Sequence, residues 1–201
     1  MNAARRHASD APAGKPRKGA GRNRVRIIGG EWRSRLVSFP DAQGLRPTPD
    51  RVRETLFNWL GQRLTGLAVL DLFAGSGVLG FEALSRGAAR VVMVEHDRAA
   101  CEQLRETART LAAEGAEIVP GEAIAWLAST RETFDVVFID PPYASELAAA
   151  ALEKLPARLN AGARVYVESA SRPVAQGGRW KALREGSAGA ARFALYEFTG
   201  E

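Results

Sequence analysis

The residues best suited to chemistry are Asp140-Pro141-Pro142-Tyr143, which follow the apolar run Phe134-Asp135-Val136-Val137-Phe138-Ile139. Two consecutive prolines fix two φ angles, and Pro142 also biases Pro141 toward an extended conformation. Neither proline carries a backbone N–H, so the stretch presents acceptors, chiefly the Asp140 carboxylate and the Pro141 carbonyl. Two adjacent acceptors suit an exocyclic NH2 group on a base. Holding both hydrogens would turn the nitrogen lone pair out of conjugation and toward a methyl group. Tyr143 is then the residue to stack on the base, a contact worth roughly 1–3 kcal/mol in single-strand binders. Taken alone, the four residues also fit a loop that merely ends a strand.

A second constellation lies upstream. Gly75, Gly77 and Gly80 in Asp71-Leu72-Phe73-Ala74-Gly75-Ser76-Gly77-Val78-Leu79-Gly80 satisfy G-x-G-x-x-G, and Glu95 follows Gly75 by twenty residues. Read literally, this is a dinucleotide fingerprint, with the acidic residue bonding ribose hydroxyls. Phe73 and Ala74 belong to the same turn, and His96 flanks the ribose position. Asp71 bears on which ligand is held, because a pyrophosphate at the helix N-terminus would meet an uncompensated carboxylate there. S-adenosyl-L-methionine has no phosphate and carries an ammonium and a sulfonium, so the residues favour it over NAD. Asp71 as a structural group bonded to loop amides stays open. An NAD-dependent oxidoreductase would leave Asp71 and residues 140–143 unexplained.

These groups need elements to place them. After Gly66 the chain alternates apolar strands (67–73, 91–94, 118–119, 134–139, 164–167) with helical segments (76–85, 97–113, 123–127, 144–155). Asp97 caps the second of these helices, and Pro156 is expected to stop the last. Weaker strands are expected at 180–183 and 193–198. Strands buried on both faces and separated by helices imply an α/β fold with a doubly wound, mostly parallel sheet. Ligands in such sheets sit beyond the carboxyl ends of the strands at the switch point, which brings residues 140–143 beside the glycine turn. Before the sheet, Thr48 fits an N-cap and Pro49 the first position of a helix reaching Leu60, with Val52, Leu56, Trp59 and Leu60 inward. Earlier still, two extended segments about Gly29-Gly30 read as a β-hairpin, placing Arg24 with Arg26 and Arg33 with Arg35 on strand faces.

The charge is uneven. Of 28 Lys and Arg against 23 Asp and Glu, residues 1–26 hold eight basic residues and one acidic residue, so residues 27–201 hold 20 against 22. A leader this basic and this poor in apolar residues does not fold alone, and polyanions attract it through counterion release. A solubilising tail or a transit peptide would have the same composition. Hydrophobic residues make up 46% and charged residues 25%, as in ordinary globular domains, and no apolar run is long enough for a membrane span. The single cysteine, Cys101, builds neither a disulfide within the chain nor a Cys-rich metal site. A cytoplasmic protein without a bound metal is expected.

With these residues in hand, the sequence resembles the class I S-adenosylmethionine-dependent methyltransferases that modify amino nitrogens. It resembles most the bacterial RsmD family, which methylates a guanine N2 amine in 16S ribosomal RNA. The resemblance runs from about Arg26 to Tyr196. It is most specific at Arg26-Ile27-Ile28-Gly29-Gly30, Leu45-Arg46-Pro47-Thr48, residues 51–58, residues 71–86 and residues 140–143. It implies a seven-stranded Rossmann-like methyltransferase sheet at 45–201, a β-hairpin extension at 24–44 and a disordered leader at 1–23. It further implies that Asp71, Gly75 and Gly77 line the methionine part of the cofactor, Glu95 its ribose, and Glu122 with Ala123 its adenine. Asp140, Pro141, Pro142 and Tyr143 become the catalytic, base-holding residues. The segment 46–53 would close over the cofactor through Thr48 and touch RNA through Arg46, Arg51 and Arg53, alongside Arg24, Arg26, Arg33 and Arg35. The partner implied is 16S ribosomal RNA in the small subunit, met by a monomer. The basic leader and Ala194, where the family often carries a basic residue, depart from the pattern. An amino-methyltransferase for another RNA, DNA or protein remains a competing reading, as does a non-catalytic RNA-binding module. Glu168, at a strand end, is read as a structural cap, and Glu82 as an i,i+4 partner of Arg86.

Overall fold

The computed structural model describes residues 23–39, 48–142, 146–169 and 178–200. The leader through residue 22, Arg46 and Tyr143 lie outside them.

Asn23–Arg26 (β1) and Leu36–Phe39 (β2) form a separate antiparallel pair in which Arg26 faces Leu36. Their inward residues Val25, Val37 and Phe39 are buried with Val52, Leu56 and Phe57 of the first helix, α1 (Asp50–Trp59). Arg24 and Arg26 stay exposed on the opposite face, as alternation requires. The connection is longer than the expected glycine turn. Arg33 and Arg35 fall in the loop between the strands rather than on a strand face, though both are exposed. The loop is held from outside the hairpin: Ile28 and Gly29 donate their N–H groups to the Glu82 carboxylate at 2.9 and 2.8 Å, and Trp32 N–H donates to Ser85 Oγ at 2.8 Å.

The main sheet has seven strands: β3 (Ala68–Asp71), β4 (Arg90–Glu95), β5 (Ala116–Pro120), β6 (Phe134–Ile139), β7 (Leu159–Ser169), β8 (Trp180–Ala188) and β9 (Ala191–Phe198). Their spatial order is β5-β4-β3-β6-β7-β9-β8, with the first five parallel and β9 antiparallel to both its neighbours. Alternate residues of the central strands serve two cores. Val69, Val91, Met93, Val136 and Phe138 face one core with α1, α2 (Val78–Ser85) and α3 (Arg98–Leu111). Leu70, Val92, Val94, Val137 and Ile139 face the other with α4 (Ala123–Ser129) and α5 (Leu147–Lys154). Each fully buried aliphatic or aromatic side chain contributes about 1.5–3 kcal/mol, so both faces must be covered for the sheet to persist.

Element boundaries differ from expectation where local chemistry competes. The helix expected from 76 starts at Val78, because Gly77 before it adopts a left-handed φ of 73°. The helix ends before Pro156 as expected, at Lys154, and Pro156 sits in a following 3-10 turn, Leu155–Arg158, where a first-turn proline loses no hydrogen bond. Both C-terminal strands extend beyond the expected ranges; β8 is short of buried residues, which weakens its periodic signal. Asp97 caps α3 as expected, accepting from Ala100 N–H at 2.8 Å.

Candidate active site

The parallel register puts the key carboxylates at one edge. Asp71 ends β3 opposite Phe138 of β6, so Asp140 emerges two residues beyond that level, at the point where chain direction across the sheet reverses. Ile139 pairs with Val167, which brings Glu168 of β7 level with Asp140. Glu95 ends β4 on the other side of β3.

Asp71 is buried and accepts Gly80 N–H at 3.0 Å, tying the strand to α2 across the glycine turn. Burial pushes its pKa up to about 7; the Gly80 N–H opposes that rise, while the charges of Asp140 and Glu95 add to it. Glu95 holds the turn itself, with Gly75 N–H on Oε2 at 2.8 Å and Asp97 N–H on Oε1 at 2.7 Å. A carboxylate has about four acceptor positions, so these two bonds do not exhaust its acceptor capacity. His96 is exposed, its Nδ1 3.1 Å from Glu95 Oε1. Gly121 N–H meets the Glu95 carbonyl at 2.9 Å, bringing exposed Glu122 and buried Ala123 beside the same strand end.

The glycines divide their work differently from a simple ligand cradle. A Cβ on Gly77 would stand 2.3 Å from Leu104 of α3, and one on Gly80 would stand 2.9 Å from Met93 of β4. These two positions are closed by packing within the fold. Gly75, with Phe73 and Ala74, forms the rest of the turn facing Glu95.

Asp140 is partly accessible, and Pro141 is buried beside it while Pro142 is exposed. Burial pushes the Asp140 pKa up to about 7, reinforced by the charge of Glu168 and opposed by a hydrogen bond from Thr48 Oγ1 to Oδ2 at 2.9 Å. Thr48 is therefore not the helix cap that its position suggests. Pro49 stands at the N-cap of α1 with no side-chain bond, and the Thr48 hydroxyl is committed across the cleft instead. Glu168 is buried and accepts from Tyr166 OH at 3.0 Å. Its approach to Asp140 was readable only from the pairing of β6 with β7.

The expectation that Arg53 touches RNA is overturned. Arg53 is fully buried, donating from Nε to the Thr48 carbonyl at 3.1 Å, from NH1 to Glu82 at 3.2 Å and from NH2 to Asp50 at 2.6 Å. It lies on the core face of α1 with Leu56, Phe57 and Leu60, which is the signal a count of basic residues ignores. Arg51, on the other face, is exposed, and Arg26 meets Asp50 at 3.4 Å. Glu82 does pair with Arg86, at 2.8 Å, as part of a larger cluster. A separate concavity of about 790 Å3, lined by Gly29, Arg33, Asn58, Arg63 and Arg86 among others, surrounds the C-terminal end of α2 and includes none of the acidic cleft residues. Among the described residues, no group of three or more His, Cys, Asp or Glu could hold a metal ion, and no helix is long and apolar enough to cross a membrane.

A parallel sheet with an antiparallel final pair and an acid-lined switch point defines a Rossmann-like methyltransferase. Residues 25–197 match the family model described as conserved hypothetical protein 95. The ribosomal RNA small subunit methyltransferase D of Escherichia coli (strain K12) is 43% identical over 185 residues, covering 89% of this chain and 92% of that protein. The solved structure of the Escherichia coli protein yhhF is 40% identical with a TM-score of 0.82, covering 89% of this chain and 100% of the other. The Thermus thermophilus 16S rRNA N2 G1207 methyltransferase RsmC, solved with S-adenosylmethionine and guanosine, shares the fold at 22% identity and a TM-score of 0.66, covering 89% of this chain and 50% of its own. The chain belongs to the RsmD family of methyltransferases.

Proposed function

We propose that this protein transfers a methyl group from S-adenosyl-L-methionine to the exocyclic N2 amine of a guanine in small-subunit ribosomal RNA. The observation that carries the reading is the juxtaposition of Asp140 and Pro141, two acceptors with no backbone N–H between them, with Asp71 on the adjoining strand. The residues fit the cofactor: Asp71, Glu95, Asp140 and Glu168 gather at one sheet edge, and burial and mutual repulsion hold two of them near pKa 7. Such a site accommodates a cation and repels a pyrophosphate. Asp71 and the turn through Gly75 would hold the methionine part, Glu95 the ribose, and Glu122 with Ala123 the adenine. When bound, the cofactor supplies a methyl group on a sulfonium, an electrophile with a good leaving group.

The chain's own residues do the rest by positioning. Asp140 and the Pro141 carbonyl accept the two N2 hydrogens, which frees the nitrogen lone pair to face the methyl carbon. After transfer, Asp140 or water takes the surplus proton; an acid with a pKa near 7 is matched to that exchange at neutral pH. Tyr143, which follows Pro142, would stack on the unstacked base. The affinity for a ribosomal partner comes from Arg24, Arg26, Arg33, Arg35, Arg46 and Arg51 together with the leader, and the substrate is the assembled subunit or an assembly intermediate. Small subunits from a strain lacking this protein, incubated with enzyme and tritium-labelled cofactor, are expected to take up label on the N2 of one guanine. Label on another atom, or on ribosomal protein, would replace this reading.

A further inference from the structure

Just before α1, the Thr48 side chain reaches the catalytic edge. Thr48 is buried, and its hydroxyl donates to Asp140 Oδ2 at 2.9 Å across 92 positions of sequence. Among the described residues, Oδ1 of Asp140 takes no hydrogen bond. Thr48 is itself held from behind, because its carbonyl accepts from Arg53 Nε at 3.1 Å. Arg53 is fixed in turn by Glu82, whose carboxylate also receives the N–H groups of Ile28 and Gly29 in the hairpin loop. Among the described residues, the charged groups acting on Asp140 or its neighbour Asp71 are carboxylates: Asp71 from β3, with Glu95 beyond it, and Glu168 from β7, which accepts from the Tyr166 hydroxyl. Thr48 supplies the hydrogen bond that favours the charged carboxylate there.

We propose that Thr48 is a positioning residue for methyl transfer: its hydroxyl fixes one oxygen of Asp140 and leaves the other to receive the amine, while Arg53 holds Thr48 in register. This rests on Asp140 being the amine acceptor. The same Glu82 carboxylate anchors the basic hairpin, so the extension and the catalytic edge share one buried support.

The test compares Thr48→Val, which keeps shape and removes the hydroxyl, with Thr48→Ser, which keeps the hydroxyl, and with the smaller Thr48→Ala. Single-turnover methyl transfer to unmodified small subunits is followed from pH 6 to 9, and cofactor affinity is measured by calorimetry. Thr48→Val and Thr48→Ala are expected to lower the rate about tenfold at pH 6.5, with the gap narrowing above pH 8, because loss of a bond to a charged group moves the acidic limb upward. Thr48→Ser should restore the wild-type profile, and cofactor affinity should change by less than about twofold. A Val or Ala profile that superimposes on wild type overturns the role of Thr48. A tenfold loss of cofactor affinity would also overturn it, placing the residue against the cofactor instead. Asp140→Asn is the control: if it keeps full activity, the underlying reading of Asp140 fails, whatever Thr48 does.

Discussion

Two charged regions lie a few residues apart and obey opposite rules. Behind α1, Arg53 and Arg86 enclose Glu82, with Asp50 at the rim, and five N–H donors from Arg53, Arg86, Ile28 and Gly29 converge on the Glu82 carboxylate. Arg86 also lies 4.5 Å over the Phe57 ring. At the sheet edge, Asp71, Glu95, Asp140 and Glu168 gather; among the described residues, Asp71 receives its hydrogen bond from the Gly80 N–H and Asp140 from the Thr48 hydroxyl. The first cluster is neutralised from within the chain and closes the fold. In the second, the described donors to Asp71 and Asp140 are neutral groups, which suits a site for a cationic cofactor. Burial is common to both; the charge balance separates the structural cluster from the functional one.

Breaking the first cluster should have the largest effect on stability. Arg53→Met leaves Glu82 buried with one partner fewer, and is expected to destabilise the protein by about 3–5 kcal/mol in urea unfolding. A loss below about 1 kcal/mol would mean that Arg86 alone neutralises the site.

The acidic cleft should respond in the opposite sense. Asp71→Asn is expected to weaken cofactor binding by about 10- to 100-fold, the scale of a lost bond between charged groups. It should also stabilise the ligand-free protein. The sign follows from a folded pKa of about 7 against an ordinary value of 3.8: the neutral acid favours folding below pH 4, and that contribution disappears as pH rises through 7. The gain in melting temperature should therefore be greater at pH 8 than at pH 5. Equal gains at both pH values would show that Asp71 carries no charge penalty.

A smaller effect is expected from the leader. Deleting residues 1–22 should raise the apparent KM for small subunits several-fold and flatten its dependence on salt, because each phosphate contact contributes to the salt slope. An unchanged slope would make the leader a solubilising tail.

What the sequence revealed, and what it concealed, follows the same division. The order of strands and helices was legible because each central strand is an apolar run flanked by turn residues. The placing of Asp71, Glu95 and Asp140 at one sheet edge was legible because strand ends at a switch point are identifiable from local pattern. Contacts between distant residues were not. Thr48-Pro49 carries a strong local capping signal, yet the hydroxyl serves an aspartate 92 positions away. Arg53 counts as a cation in any charge tally, but its partner, Glu82, becomes visible only once α1 and α2 are packed. Arg33 and Arg35 alternate like strand residues, while the loop carrying them is shaped by Glu82 and Ser85. Glu168 acquired meaning from the β6–β7 register.

The most direct test of the central claim is single-turnover methyl transfer by Asp140→Ala, measured together with its affinity for S-adenosylmethionine. The account predicts a rate about 10²- to 10³-fold below wild type, the loss seen when one positioned polar group at a reacting centre is removed, with cofactor affinity within about threefold. A variant that binds the cofactor normally and methylates guanine N2 at the wild-type rate would contradict it.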